Sequence, residues 1–370
     1  MTTRAWSHLP VAFLKHLLPL VDVPSYIRFS SVCHRWHISK KLSQTLPSPH
    51  LPFLLLPRHH STSNPSLSFF NLSDSLTYHI PSPIISNSLF VSSLSLGYLL
   101  LDLRFNGRPV PDSKFLLNPL SDDHLPLPES ILVPKSVTAA AILSDNDGGG
   151  GGFWVCLAFG NSVFFWNPKS KTAFRTDFDS VGEIVDVAAD GGVLYFVTGD
   201  MDLVAYDPLR GCRTMLVVVP PEEEVEEGVP MPCFECDHFL VVAPSEDGEV
   251  KVLLAVVHYS CLGKRRKAVG VERVEVFSAV QGGGGRGGGW VRVEEEVAET
   301  EVGGLVLFLS YGGSSFCVKA ADVGRRDRGG GVACLVPAPE KMDSMASYQK
   351  LDLMCVEIDL ASGDVTYKGR

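Results

Sequence analysis

No apolar run in this chain is long enough to cross a bilayer. The longest, residues 88–101, falls short of the roughly 20 residues required and contains Gly97. Charge is sparse, at 20% of 370 residues, and its balance is −10. That balance excludes a general nucleic-acid binder, whose phosphate contacts need a basic face. Hydrophobic residues make up 45% of the chain, so wholesale disorder is excluded too. Cysteine is present nine times, an odd number without paired spacing, which reads as reduced thiols in an intracellular protein. The apolar stretch after Arg4 is cut by Lys15 and His16, so no signal peptide is expected.

Signatures of bond chemistry are missing as well. The glycine runs 148–152 and 282–289 lack the Lys-Ser/Thr of a phosphate loop, lie between apolar strand-like runs, and read as expanded hairpin loops. Cys233-Phe-Glu-Cys236 has the spacing of half a zinc site, but no second pair follows at useful distance, and no βαβ pattern supports a redox role. The acidic run 222–227 and the basic cluster Lys264–Lys267 read as solvated loops, the latter also as a candidate nuclear-import signal. The pair His59-His60 and the cluster Asp122-Asp123-His124 fall in loops, and no Ser/His/Asp or paired-carboxylate arrangement stands out. The chain is therefore expected to be no enzyme, with no metal and no cofactor.

What is present begins with the first 46 residues. They carry Arg4, Lys15, Arg28, Arg35, Lys40 and Lys41 against Asp22 alone, a basic module suited to an acidic partner surface. Leu14, Leu17, Leu18 and Val21 share one helical face, and Phe29, Val32, Cys33 and Trp36 repeat the spacing. Pro10 suits a first helical turn, and Pro19 and Pro24 bracket the break between two helices.

Beyond residue 50 helical periodicity gives way to short Val/Leu/Phe runs separated by Gly, Asp, Asn and Pro. Asn71, Asn118, Asn167 and Asp207 close successive runs at intervals of 47, 49 and 40 residues. Asn or Asp opens such turns through a side-chain bond to the backbone, and the following Pro presets φ. Repeats of that length with several strands each point to a β-propeller of about six units, seven if the last is double. The units are expected over 51–81, 88–128, 137–176, 184–219, 238–295 and 303–368. The fold class is mainly β: a small helical module over 1–46, then a propeller over 51–370.

Two resemblances follow. Leu9-Pro10, Leu14, Phe29, Val32, Cys33 and Trp36 resemble an F-box over residues 5–46, with Ala12 where that family often has an acid. The segments 118–128, 191–207, 271–280 with Trp290, and 303–320 resemble the β-propeller domain of a large family of plant F-box proteins, long catalogued as a domain of unknown function. The resemblance implies a substrate-recognition subunit of a Skp–cullin–F-box ubiquitin ligase, intracellular, in cytoplasm or nucleus. Its adaptor face would comprise Leu9, Pro10, Leu14, Leu17, Leu18, Val32, Cys33 and Trp36. Leu9, Pro10 and Leu14 are expected to be exposed. The partners implied are a Skp-type adaptor, through it a cullin, and a target protein, with neither nucleic acid nor membrane. Target contacts are expected in the longer loops 104–113 and 259–270, with Arg104, Phe105 and Arg108 as candidates. The alternative is a non-ligase interaction scaffold built on the same propeller.

Overall fold

The computed structural model describes residues 8–21, 23–42, 53–55, 66–71, 76–81, 88–94, 97–105, 108–119, 123–128, 137–144, 152–178, 181–190, 192–208, 210–219, 235–244, 250–262, 267–280, 288–293, 305–310, 315–319, 332–336, 353–360 and 364–369.

Three helices come first: α1 (Val11–Leu17), α2 (Val23–Val32) and α3 (His34–Leu42). Pro10 is the N-cap of α1, and its carbonyl accepts the Leu14 amide at 3.1 Å. A single 3-10 turn, Leu18–Leu20, carries Pro19 and ends the first segment. The second apolar stripe is broken at Cys33 into two helices, where one continuous helix was expected. The break folds α3 back, so Trp36 packs against Phe29 in a tilted pair with centroids 4.3 Å apart. Leu14, Leu18, Tyr26 and Phe29 are buried at the centre, with Leu9, Leu17, Val21 and Trp36 packed around them.

The strands follow in antiparallel meanders. The first sheet holds β1 (Phe53–Leu55), β2 (Ser66–Asn71) and β3 (Leu76–Pro81). The second holds β4 (Ser88–Ser93), β5 (Leu99–Phe105), β6 (Arg108–Asn118) and β7 (Asp123–Pro126). The third holds β8 (Ala139–Ser144), β9 (Phe153–Phe159), β10 (Ser162–Asn167) and β11 (Thr172–Asp177). Next come β12 (Ile184–Asp190), β13 (Val193–Thr198), β14 (Leu203–Asp207) and β15 (Cys212–Val219), then β16 (Glu235–Pro244), β17 (Val250–Leu262), β18 (Lys267–Val280) and β19 (Gly288–Arg292). These last two meanders form one eight-stranded sheet, because β15 pairs with β19 in parallel. The final sheet runs β21 (Phe316–Lys319), β20 (Leu305–Ser310), β22 (Val332–Val336), β23 (Leu353–Asp359), β24 (Val365–Gly369), with β20 and β22 parallel.

Each meander buries its faces against its neighbours in chain order. On β9, Trp154, Cys156 and Ala158 point to Ile184, Leu194 and Phe196 of the next meander. Val155, Leu157 and Phe159 point to Leu100 and Leu116 of the preceding one. That is why β9 and β10 read as nearly continuous apolar runs rather than alternating ones. The pattern repeats between β12–β15 and β16–β19 through Val197, Leu203, Leu240 and Leu254. It repeats again between β16–β18 and the last sheet through Val241, Leu253, Leu307 and Leu335.

The expected turns fall at equivalent points: Asn118-Pro119, Asn167-Pro168 and Asp207-Pro208 each follow the third strand of a meander. Asn167 Oδ1 accepts the amides of Lys169 and Ser170 at 3.0 and 3.1 Å, and Asp207 Oδ1 accepts that of Arg210 at 3.1 Å. The side-chain bond that makes Asn and Asp turn openers is thus formed.

Candidate functional site

The helical module divides the eight adaptor-face candidates in three. Leu14 and Leu18 are fully buried in the module's own centre, which corrects the expectation that Leu14 is exposed. The reason is geometric: α1 is two turns long, and the face that carries Leu14 also meets α2 and α3. Leu9, Leu17, Cys33 and Trp36 are half-buried, whereas Pro10 is exposed and Val32 is 54% exposed. Sequence reading missed Phe13, Leu20 and Ile38, which are exposed at 49%, 76% and 37%. They lie off the apolar stripe, so periodicity assigned them no role. The module therefore presents Pro10, Phe13, Leu20, Val32 and Ile38 outward. Arg35 ties α3 to the start of α1 through a 3.4 Å bond to the His8 carbonyl.

Tyr26 is buried at the centre of the module. Burial, and after it the Asp123 carboxylate at the head of β7, pushes the phenol above its ordinary range; the same two causes act on Tyr98.

Among the sheets, the described parts of the candidate loops are strands. Residues 104–113 lie in the β5–β6 hairpin, with Arg104 opposite Pro109 and Phe105 opposite Arg108. The side chains of Arg104, Phe105 and Arg108 lie outside the described residues. Residues 259–270 also belong to a hairpin, whose ladder runs out to Leu262 opposite Lys267. Bulges at His258/Tyr259 and Ser260/Cys261 absorb the residues that break alternation.

That hairpin is the longest in the described structure, with strands of 13 and 14 residues against 6 and 5 in β13 and β14. One of its faces carries a row of polar groups. Glu275 Oε2 meets His258 Nε2 at 2.7 Å, and Glu275 Oε1 meets the Arg292 guanidinium at 2.8 Å. Arg273 approaches the same carboxylate at 3.6 Å. The His258 bond, and then the two guanidiniums, hold the Glu275 carboxyl below its usual range against the opposing effect of burial. On β16, burial lowers the pKa of His238, with Asp237 opposing and His258 assisting. Asp237 accepts the buried Tyr259 hydroxyl at 2.9 Å.

Two polar contacts lock the seam between β12–β15 and β16–β19. Asp186, at a bulge in β12, accepts the Val187 amide at 2.8 Å and the Leu240 amide of β16 at 2.7 Å. Trp290 donates its indole N–H to the Met201 carbonyl at 2.7 Å. Met201 has φ +66, a conformation unusual for a side chain of its size.

Cys236 is exposed at the head of β16, and Cys233 lies outside the described residues. Among the described residues, no group of three or more His, Cys, Asp or Glu is placed to hold a metal ion, and no helix is long and apolar enough to cross a membrane.

Meanders stacked in chain order, the inner ones buried on two faces, are the construction of a β-propeller. The chain belongs to the KIB1-4 beta-propeller family, whose model matches residues 69–329. The match begins within β2, so the helices lie outside it. No curated protein matches the chain. Solved structures with a similar backbone include an auxiliary nutrient binding protein from Bacteroides thetaiotaomicron VPI-5482, 8% identical with a TM-score of 0.33 over 62% of this chain. TolB from Acinetobacter baumannii is 10% identical with a TM-score of 0.40 over 86% of this chain. The chain spans 66% and 63% of those proteins, less than two thirds of either.

Proposed function

We propose that this protein is the substrate-recognition subunit of a Skp–cullin–F-box ubiquitin ligase, acting in the cytoplasm or nucleus. The observation that carries this reading is the helical module. It closes a core of Leu14, Leu18, Tyr26 and Phe29 and still leaves Phe13, Leu20, Val32 and Ile38 outward. Exposed apolar side chains on so small a module, which also carries Lys15, Arg28 and Arg35, suit a partner with an apolar groove and an acidic border. A Skp-type adaptor is that partner, and the propeller holds the target.

The protein makes and breaks no bonds in this account. Its contribution is proximity: one chain holding adaptor and target raises the effective concentration of target lysines near a loaded conjugating enzyme. The test is affinity capture from cells with the proteasome inhibited, comparing the full chain with one lacking residues 1–46. Capture of adaptor and cullin by the full chain alone supports the reading. Equal capture by both, or by neither, rejects it and leaves an interaction scaffold.

A further inference from the structure

The third sheet runs β11-β10-β9-β8, and among the described residues no strand pairs with the outer edge of β11. The corresponding strands of two other meanders are guarded: β15 is covered by β19, and β7 is four residues long and contains Pro126. β11 has six residues, no proline and a ladder to β10 without a bulge. The direction of its backbone groups follows from one contact at its end. The Phe178 amide donates to the Asn161 carbonyl at 2.9 Å, so Asn161 and Phe178 form a hydrogen-bonded pair. Such pairs alternate along an antiparallel ladder, so Thr176, Phe174 and Thr172 turn their backbone groups toward β10. The N–H and C=O groups of Ala173, Arg175 and Asp177 therefore point outward, where they can template another strand.

The side chains along this edge select the strand. Lys171 is exposed just before β11 at φ +57, and Asp177 is 48% exposed at its end. Ser162 and Arg175 both reach Oδ1 of Asp177, each at 2.6 Å, which leaves Oδ2 open. Those contacts, that of Ser162 first, hold the Asp177 carboxyl below its usual range, so it is an anion at neutral pH. Positive charge at one end of an edge and negative charge at the other match an antiparallel copy of the same edge. Charge also decides the register. Centring on Ala173 opposes Lys171 to Arg175, and centring on Arg175 opposes that residue to itself. Centring on Thr176 leaves Thr172 and Ala173 without partners in β11. Centring on Phe174 opposes Lys171 to Asp177 on both sides of the axis and joins the outward groups of Ala173 and Arg175 in about four ladder bonds. It also sets the two half-buried Phe174 rings opposite each other, a favourable cross-strand pair.

We propose that two copies of this chain pair edge to edge through β11, joining their third sheets into one continuous sheet across a two-fold axis. The dimer presents two helical modules and two propellers at once, so a partner with two sites gains avidity. The pairing needs only the propeller and stands whether or not the module holds an adaptor.

Sedimentation equilibrium of the full chain from about 1 to 100 μM tests this. The wild type is expected to move from its monomer mass of 40.2 kDa toward twice that value. Ala173→Pro removes an outward N–H without touching the ladder to β10, and is expected to stay monomeric. Lys171→Asp sets two carboxylates opposite each other, is tolerated at positive φ, and is expected to weaken association at least about tenfold. Lys171→Asp with Asp177→Lys restores opposite charges and is expected to recover part of the association. Thermal melts check folding; if Ala173→Pro does not melt cooperatively, Lys171→Asp decides. A wild type that stays monomeric across the range overturns the proposal. So does a dimer that persists unweakened in folded Ala173→Pro or folded Lys171→Asp, because another surface then holds the copies together.

Discussion

Asp186 reaches from β12 to the Leu240 amide of β16, 2.7 Å away, and so ties two successive meanders together at a free strand edge. The Leu240 N–H points away from β17 and would otherwise be buried without an acceptor in its own sheet. Asp186 is itself buried, and burial outweighs its two amide bonds, raising its pKa to about 8. In the unfolded chain an Asp loses its proton near the ordinary value of about 3.9. Between those values the folded state holds the extra proton, so this group's contribution to stability falls as pH rises. Asp186→Asn removes that dependence. Thermal melts from about pH 5 to 8 should show a shallower decline for the Asn variant than for wild type. Parallel declines contradict the assignment. Asp186→Ala, which leaves both amides without this acceptor, should cost about 1–3 kcal/mol per amide at any pH.

The same seam depends on Trp290. Its indole fixes the Met201 carbonyl, and Met201 is strained at φ +66. Trp290→Phe keeps much of the apolar contact but removes the donor, and should cost about 1–3 kcal/mol in denaturant unfolding. An unchanged midpoint shows that solvent replaces the bond.

On the other face of the long hairpin, Tyr367 of β24 accepts the Val271 amide at 3.0 Å. A β-carbon at Gly270 would stand 2.6 Å from that phenol oxygen. Gly270→Ala should therefore cost about 1–3 kcal/mol by overpacking. Tyr367→Phe removes both the bond and the obstacle, so the double variant should lose less than the sum of the two single variants. Additive losses show that the two residues do not meet.

Legibility in the sequence followed locality. The third and fourth units were readable almost to the residue, because Asn161, Asn167, Asp200 and Asp207 mark turns whose bonds are made within a few positions. The parallel pairing of β15 with β19 joins residues about 70 positions apart and leaves no local pattern. Residues 259–270 look like a loop because Gly263 and the basic cluster interrupt the apolar alternation, yet bulges at His258/Tyr259 and Ser260/Cys261 let the ladder run out to Leu262 opposite Lys267. In the helical module, periodicity identified the stripe of Leu14 and Leu18 but carried no information on whether it meets a partner or the module's own helices. Asp186 appears in the sequence only as one acid inside the apolar run 184–189.

Thiol labelling checks the packing independently. Cys156 and Cys334 are buried, and burial pushes the Cys156 thiol far up, whereas Cys236 is exposed. In native protein a maleimide should label Cys236 and spare Cys156 and Cys334 until denaturant is added. Early labelling of Cys156 would show that β9 is not enclosed between two sheets.

The central claim is that the outward residues of the helical module hold a Skp-type adaptor while its buried ones only build the module. The most direct measurement is adaptor affinity for the full chain by calorimetry, comparing wild type with Pro10→Ala plus Val32→Ala and with Phe13→Ala. Interface anchors of this kind cost about 1–4 kcal/mol each when truncated. The account predicts that both variants weaken binding at least about tenfold while the thermal midpoint of the protein stays within about 2 °C of wild type. Wild-type affinity in both variants would contradict it.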